Sequence, residues 1–340
     1  MADLPKIGID IGTSTIKVAE LSPTGAGKWK LLAAASVPAP VGGIMAGAGN
    51  LTAASQSLVK LVREVGIRSR RAVAALPEEQ VSSHVVEMPM MSDEEVKQAL
   101  QWQVEQYIPI PADKAVWSHQ VIKKDQVSGG MEVLLVAAAK NLVNSYIAVL
   151  EQAGLEVVAL ETELTATARS EVPPEYPLSL VVDIGAKGTD MGVVSHGQLV
   201  FARTIPTAGE AFTRAIETGL SLDPGTAEQY KRTYGFSAGK LDGKIVEAMK
   251  PVVAAIGSEI RKTADFYISK HPGETVGSVV LSGGVAALPD IVSMLSGVVG
   301  IEMAIGNPFA RVGLDANQAK IVSGNAAFYG VAVGLAMRPL

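Results

Sequence analysis

Two aspartates, each closing a β-branched apolar run, are the residues best placed to do chemistry in this chain. Lys6 to Leu21 reads KIGIDIGTSTIKVAEL, and Leu178 to Val194 reads LSLVVDIGAKGTDMGVV. In each, Asp-Ile-Gly leads into small residues: Gly12-Thr13-Ser14-Thr15 in the first, Gly185-Ala186-Lys187-Gly188-Thr189 in the second. Small side chains let the backbone N–H groups of a tight hairpin converge on an anion, so two such turns facing each other suit a nucleotide polyphosphate. Each hydrogen bond to a charged acceptor contributes about 1.5–3 kcal/mol. Lys17, two residues past Thr15 on an alternating strand, is placed to add a direct phosphate contact. Asp10 and Asp183, at strand ends beside the phosphates, are placed to reach Mg²⁺ directly or through its waters. A single aspartate after a strand more often caps a turn; the duplication, with a later Gly-Gly turn at Gly283-Gly284, favours nucleotide binding.

The elements that must position these turns follow from the same repeat. The two Asp-Ile-Gly units lie 173 positions apart, close to half of the 340 residues, which predicts a duplicated α/β unit. A third strand, not a helix, follows each unit, at Trp29 to Val37 and at Gln198 to Pro206. A P-loop or Rossmann glycine loop must open a helix, and neither signature string occurs in the chain. Between the repeats, Ser92 and Glu95 have capping-box spacing and open a helix carrying Val96, Leu100, Val104 and Tyr107. Strands at His84 to Met88, Val116 to Lys123 and Glu132 to Ala138 and a helix at Asn141 to Gln152 complete an inserted block, about 83–155. In the second half the spacing predicts helices at Gly209 to Gly219, Thr226 to Tyr234 and Lys244 to Ser269. The last has a stripe of Ile245, Met249, Val252, Ile256 and Ile260. Pro289 is expected to open another helix, and a final helix is expected over about Gly324 to Met337.

Composition excludes several classes. With 48% hydrophobic and 19% charged residues the chain is no disordered scaffold, and its net charge of −5 disfavours nucleic acid as a partner. There is no cysteine, so disulfides, thiolate metal sites and cysteine nucleophiles are absent. The four histidines show no metal-ligand spacing. Arg63, Arg68, Arg70 and Arg71 read as a solvated or partner-contacting patch, and Trp102 and Trp117 as core residues or the walls of a peptide groove. The start of the chain lacks the unbroken apolar run of a secretory signal, and the apolar stretch at Ala326 to Met337 is short of a membrane span. A cytoplasmic location is expected, with any membrane link made through a partner.

The segments DIGTSTIK at Asp10, DIGAKGTD at Asp183 and VVLSGGVAALPDI at Val279 resemble the phosphate 1, phosphate 2 and adenosine motifs of the actin, Hsp70 and sugar kinase superfamily. The insertion, the phrase GNPF at Gly306 and the ending GNAAFYGVAVGLAMR resemble the PilM family of type IV pilus assembly proteins, related to FtsA. The resemblance implies an actin-like, ribonuclease H-like two-lobed fold of duplicated βββαβα units. It implies a first lobe of 1–82 with about 156–175 and 320–340, the insertion at about 83–155, and a second lobe at about 176–319 whose helical part, about 220–273, meets the nucleotide. It implies ATP with Mg²⁺ as ligand. Gly12, Thr13, Ser14 and Lys17 match the first phosphate loop and Asp183, Gly185 and Thr189 the second. Gly283 and Gly284 match the turn near adenine and ribose, and Glu228 and Lys231 the helix pair that contacts them. Glu163, with Glu161 as rival, matches the residue that positions the attacking water, but Leu164 stands where relatives often carry proline.

As partner the resemblance implies the cytoplasmic N-terminal peptide of the inner-membrane protein PilN, docked on the insertion, with pilus motor ATPases and self-association as further contacts. At most slow ATPase activity is expected. Two other readings stay open at this point: a small-molecule kinase of the same superfamily, and a polymerising protein like FtsA, whose usual C-terminal membrane-targeting helix has no counterpart in the final residues here.

Overall fold

The computed structural model describes residues 4–25, 27–125, 129–173, 175–237 and 239–339. Strands β1 (Lys6–Ile11), β2 (Thr15–Gly25) and β3 (Lys28–Pro38) form an antiparallel meander, followed by α1 (Ala48–Glu64) and β4 (Arg71–Leu76), which pairs parallel to β1. Every residue of β1 is buried, Asp10 included. That is expected of a central strand covered on both faces.

The chain then leaves the sheet to build the insertion. Here β5 (Val81–Pro89), α2 (Asp93–Tyr107), β6 (Ala115–Asp125) and β7 (Gly130–Ala139) make an antiparallel sheet in the order β5-β7-β6, with α2 laid on it through Val96, Leu100 and Val104. The capping box forms: the Ser92 N–H donates to Glu95 Oε2 at 2.8 Å, and Ser92 Oγ accepts the Glu95 N–H. Trp117 packs against this small core, whereas Trp102 is 86% exposed on α2.

Next come α3 (Lys140–Gln152), β8 (Glu156–Thr162) and α4 (Glu163–Glu171). Sequence order groups α3 with the insertion, but its apolar face chooses a different core. Leu142, Tyr146, Val149 and Leu150 pack with Leu58 of α1 and with Ile7 and Ile9 of β1.

The second half repeats the plan with β9 (Leu178–Ile184), β10 (Thr189–Ser195), β11 (Gln198–Ile205), α5 (Gly209–Leu220), α6 (Pro224–Tyr234), α7 (Lys244–Lys270), β12 (Ser278–Ser282), α8 (Ile291–Val299) and β13 (Met303–Ile305). The chain ends in β14 (Val312–Gly313), α9 (Ala316–Val322) and α10 (Gly330–Ala336). The sheet orders are β14-β3-β2-β1-β4-β8 and β11-β10-β9-β12-β13, so β1 and β9 hold the same position in their lobes. Register matches too: Asp10 lies opposite Lys17, and Asp183 opposite Asp190.

Some local expectations need correction. Pro289 precedes α8 without opening it, because Asp290 takes a left-handed conformation, φ 60°, as its N-cap. Proline stands at the first turn of α6 instead, at Pro224. In α7 the buried stripe runs through Val253, with Val252 only partly buried. The expected final helix is present as a single turn at Ala326–Tyr329 that runs into α10, and Gly324, φ +81°, separates it from the preceding short helix α9. Among the described residues no single helix is long and apolar enough to cross a membrane, and the last two helical runs meet at 93°.

Candidate phosphate-binding cleft

The two Asp-Ile-Gly hairpins face each other across a cavity of about 680 Å³ between the lobes. Each turn is closed by its own backbone. The Gly12 N–H donates to Thr15 O at 3.0 Å, and the Gly185 N–H to Gly188 O at 3.0 Å. On the second hairpin sits the start of α5, whose Gly209 and Glu210 N–H groups donate to Gly185 O and Ala186 O. Thr13 and Ser14 line one wall, and Gly185 and Lys187 the opposite one.

Asp10 and Asp183 end β1 and β9 on the cavity wall. Lys17 Nζ donates to Asp10 Oδ2 at 2.8 Å and lies 4.5 Å from the centre of the Phe328 ring. Burial alone would lower the Lys17 pKa, but the carboxylates of Asp10 and Asp183 overcome it and hold the ammonium above its ordinary value. Asp10 Oδ1 is buried without a hydrogen-bond partner. Burial pushes Asp183 up to about 6, Asp10 adding to the rise and Lys17 opposing it. Asp190 shares the wall and is raised by burial, while accepting a hydrogen bond from Thr204 Oγ1 at 2.5 Å.

Glu163 stands at the first position of α4 and reaches the cavity. Its carboxyl is pushed well above the usual range, by burial first and then by Asp10 and Asp190. The rival, Glu161, is spent elsewhere: it makes a bidentate pair with Arg169, at 2.5 and 2.9 Å, and a second pair with Arg338. Leu164, in place of the expected proline, is fully buried with Val181, Val194, Leu199 and Val280 of the second lobe and so ties α4 to that sheet.

At the far end, Glu228 and Lys231 line the cavity from α6. Glu228 Oε2 accepts from Thr213 Oγ1 at 2.6 Å and pairs with Lys231 Nζ at 2.6 Å; its Oε1 pairs with Arg232 at 2.7 Å. Burial opposes the charge, yet these donors hold the carboxylate down at about 2. Gly284 lines the cavity, whereas Gly283 does not. Gly283, φ +81°, cannot carry a side chain, since a Cβ would stand 2.3 Å from Asp183 Oδ1. Thr189 does not line the cavity; its hydroxyl donates to Thr207 O at 2.7 Å.

Several residues that line this cavity have no role assigned by the sequence motifs, Asp190, Arg232 and Phe328 among them. Asp190 has the same seven-residue offset from Asp183 that Lys17 has from Asp10, a signal the repeat already held. Phe328, beyond the left-handed Gly324, had none.

The family model described as type IV pilus assembly protein PilM matches residues 8–340. The chain belongs to the PilM family. A solved chain of a PilM–PilN type IV pilus biogenesis complex superposes with a TM-score of 0.84 at 28% identity, covering 98% of this chain and 99% of that one. MreB 5 of Spiroplasma citri bound to AMPPNP shares the fold, with a TM-score of 0.52 at 16% identity over 97% of this chain and 94% of that one. Cell division protein FtsA of Bacillus subtilis (strain 168) is 24% identical over 205 residues, 52% of this chain and 45% of FtsA. The chain spans about half the length of the curated relatives it matches. The fold is therefore the actin-like one that the repeated motifs imply, here in a PilM-family member of type IV pilus assembly.

Proposed function

We propose that the chain is an ATP-binding adaptor of type IV pilus assembly, held at the inner membrane from the cytoplasmic side by a partner. The observation that carries this reading is the cavity itself: two small-residue turns, one per repeat, oppose each other with Lys17 between Asp10 and Asp183. The turns suit the phosphates, and Glu228, Lys231 and Gly284, which line the same cavity, are assigned on this reading to ribose and base.

Among the described residues no cluster of three His, Asp or Glu side chains forms a self-sufficient metal cage. The donors fit Mg²⁺, which keeps several waters and is held by one or two carboxylates together with substrate phosphates. Asp10 Oδ1, buried and unpartnered, is the free acceptor such a hydrated ion would use, with Asp183 as the second carboxylate. When bound, the ion would neutralise phosphate charge. Glu163, whose charged form burial and the neighbouring carboxylates disfavour, reaches the cavity to orient a water by hydrogen bonding, and slow hydrolysis at most is expected of it.

Calorimetry on the purified chain is expected to show ATP binding that strengthens with Mg²⁺ and falls at least tenfold in Asp10→Ala. Turnover should stay far below the ~10 s⁻¹ of a typical enzyme. Equal binding by the alanine variant removes the site assignment, and fast turnover revives the kinase reading.

The partner reading draws on the PilM–PilN complex that the chain resembles over its whole length. The insertion is proposed to dock the N-terminal cytoplasmic peptide of a PilN protein. A synthetic tail peptide should be captured by the full chain, with an affinity that differs between ATP-bound and nucleotide-free protein by about 5- to 150-fold. Identical capture in both states would leave an adaptor without a nucleotide switch. Contacts with motor ATPases and self-association remain part of the same proposal.

A further inference from the structure

The root of the insertion and the first turn of α4 are joined by two glutamates, each holding the other segment's backbone. The Glu78 N–H donates to Glu163 Oε2 at 3.0 Å, and the Leu164 N–H donates to Glu78 Oε2 at 3.1 Å. Glu78 opens a single helical turn, Glu78–Gln80, between the end of β4 and Val81, the first residue of β5. Its side chain also completes the start of α4. Thr162 Oγ1 takes the Thr165 N–H, and Glu78 takes the Leu164 N–H, two of the donors that any helix start leaves without an intrahelical acceptor.

We propose that this reciprocal clasp makes Glu78 a positioning residue for Glu163 and relays the state of the insertion to the phosphate end of the cleft. The proposal rests on the nucleotide-binding reading above. Its geometry is that of a short lever. β5 is paired to β7 along its whole length, from Val81 opposite Ala138 to Pro89 opposite Gly130, so a tilt of the inserted sheet arrives at Val81, three residues from Glu78. Pro77 and Glu79 line the cavity on either side, whereas Glu78 itself does not. Its side chain is turned to α4 and is 5% exposed.

On the other side of the clasp, Glu163 reaches the cavity and Leu164 is anchored in the second lobe. A displacement at the insertion root therefore reaches both the water-orienting carboxyl and the helix that joins the lobes. Burial pushes the Glu78 carboxyl up to about 7, with the Leu164 N–H opposing the rise. Its partners are consequently part of what keeps it charged near neutral pH. Because Glu163 is one partner and the insertion root the other, a ligand at either end must act on its counterpart by the same factor.

Hydrogen–deuterium exchange on the full-length chain tests this in two steps. Without nucleotide, Glu78→Ala is expected to raise exchange at the start of α4 by about tenfold or more, and Glu163→Ala to do the same over residues 78–89. Glu78→Gln, whose amide oxygen still accepts the Leu164 N–H, should restore protection, which a general loss of stability would not allow. Unchanged exchange in either alanine variant, or failure of the glutamine variant to rescue, overturns the clasp. With ATP and Mg²⁺ added, the unmodified chain is expected to gain protection over 81–89 and Glu78→Ala to lose that gain although calorimetry still shows it binding ATP. An equal gain in both overturns the relay. If the unmodified chain binds no ATP, the nucleotide reading falls and the relay with it, while the nucleotide-free exchange result still decides the clasp.

Discussion

Replacing Asp183 by asparagine is expected to raise the melting temperature of the nucleotide-free chain and to abolish its response to ATP with Mg²⁺. The fold disfavours the charged form of this group, raising its pKa from 3.8 to about 6, chiefly by burial. A shift of that size corresponds to about 3 kcal/mol at neutral pH as an upper bound, and the opening of the carboxylate onto the cavity reduces this to on the order of 1–2 kcal/mol. Asparagine keeps an acceptor for the Ser282 hydroxyl that steadies the carboxylate. Lys17 keeps its closer partner, Asp10 at 2.8 Å.

The sign with pH follows from the direction of the shift. Below pH 3.8 the group is protonated in both states and the substitution gains nothing. Between 3.8 and about 6 the unfolded chain ionises while the folded one retains its proton, so the cost accumulates, reaching its full size above about 6. Thermal unfolding at pH 7.5 should therefore favour the asparagine variant by about 1–2 °C per kcal/mol for a chain of 340 residues, with the advantage gone near pH 4. A variant less stable than the unmodified chain at pH 7.5, or equally favoured at both pH values, contradicts the idea that Asp183 is a strained carboxylate kept for its ligand.

That strain explains why part of the site could be read from the sequence and part could not. Asp10 and Asp183 announce themselves because a carboxylate closing an apolar strand breaks the local pattern, and breaks it twice at half-chain spacing. The hairpins that join the first three strands of each half and the capping box at Ser92 follow from local rules of alternation and turn chemistry. Glu78 breaks no pattern: an acidic pair after a strand reads as a solvated turn, and only the fold brings Leu164, 86 residues away, onto its carboxylate. The same holds for Glu161, whose partners Arg169 and Arg338 come from the end of α4 and from beyond α10. Chain order groups α3 with the insertion, because periodicity gives the face of a helix but not the sheet it covers.

Gly334→Ala in α10 is expected to destabilise the chain by about 3 kcal/mol or more, although glycine to alanine in a helix interior ordinarily stabilises by about 0.5–1 kcal/mol. A Cβ at Gly334 would stand 1.9 Å from Ala166 O and 2.5 Å from its carbonyl carbon, on the backbone of α4. No rotamer change relieves a clash with main chain, so the two helices must separate. Separation would break the bonds from Arg169 to Gly334 O and from Ser170 Oγ to Gly330 O, both 2.8 Å. Nor can α10 retreat toward the sheet, because on that side Ala332 O already lies 1.9 Å from where a Cβ on Gly8 of β1 would be. The helix is thus held by backbone contact on two faces, and α4, which carries Glu163 at its start, is positioned by it. Gly297→Ala in α8 is the matched control, since nothing lies within 4 Å of its Cβ position and it should gain stability. Chemical denaturation of the two variants is expected to give midpoints that move in opposite directions. A shift of the same sign in both would mean that helix propensity, and not the α4–α10 contact, governs this end of the cleft.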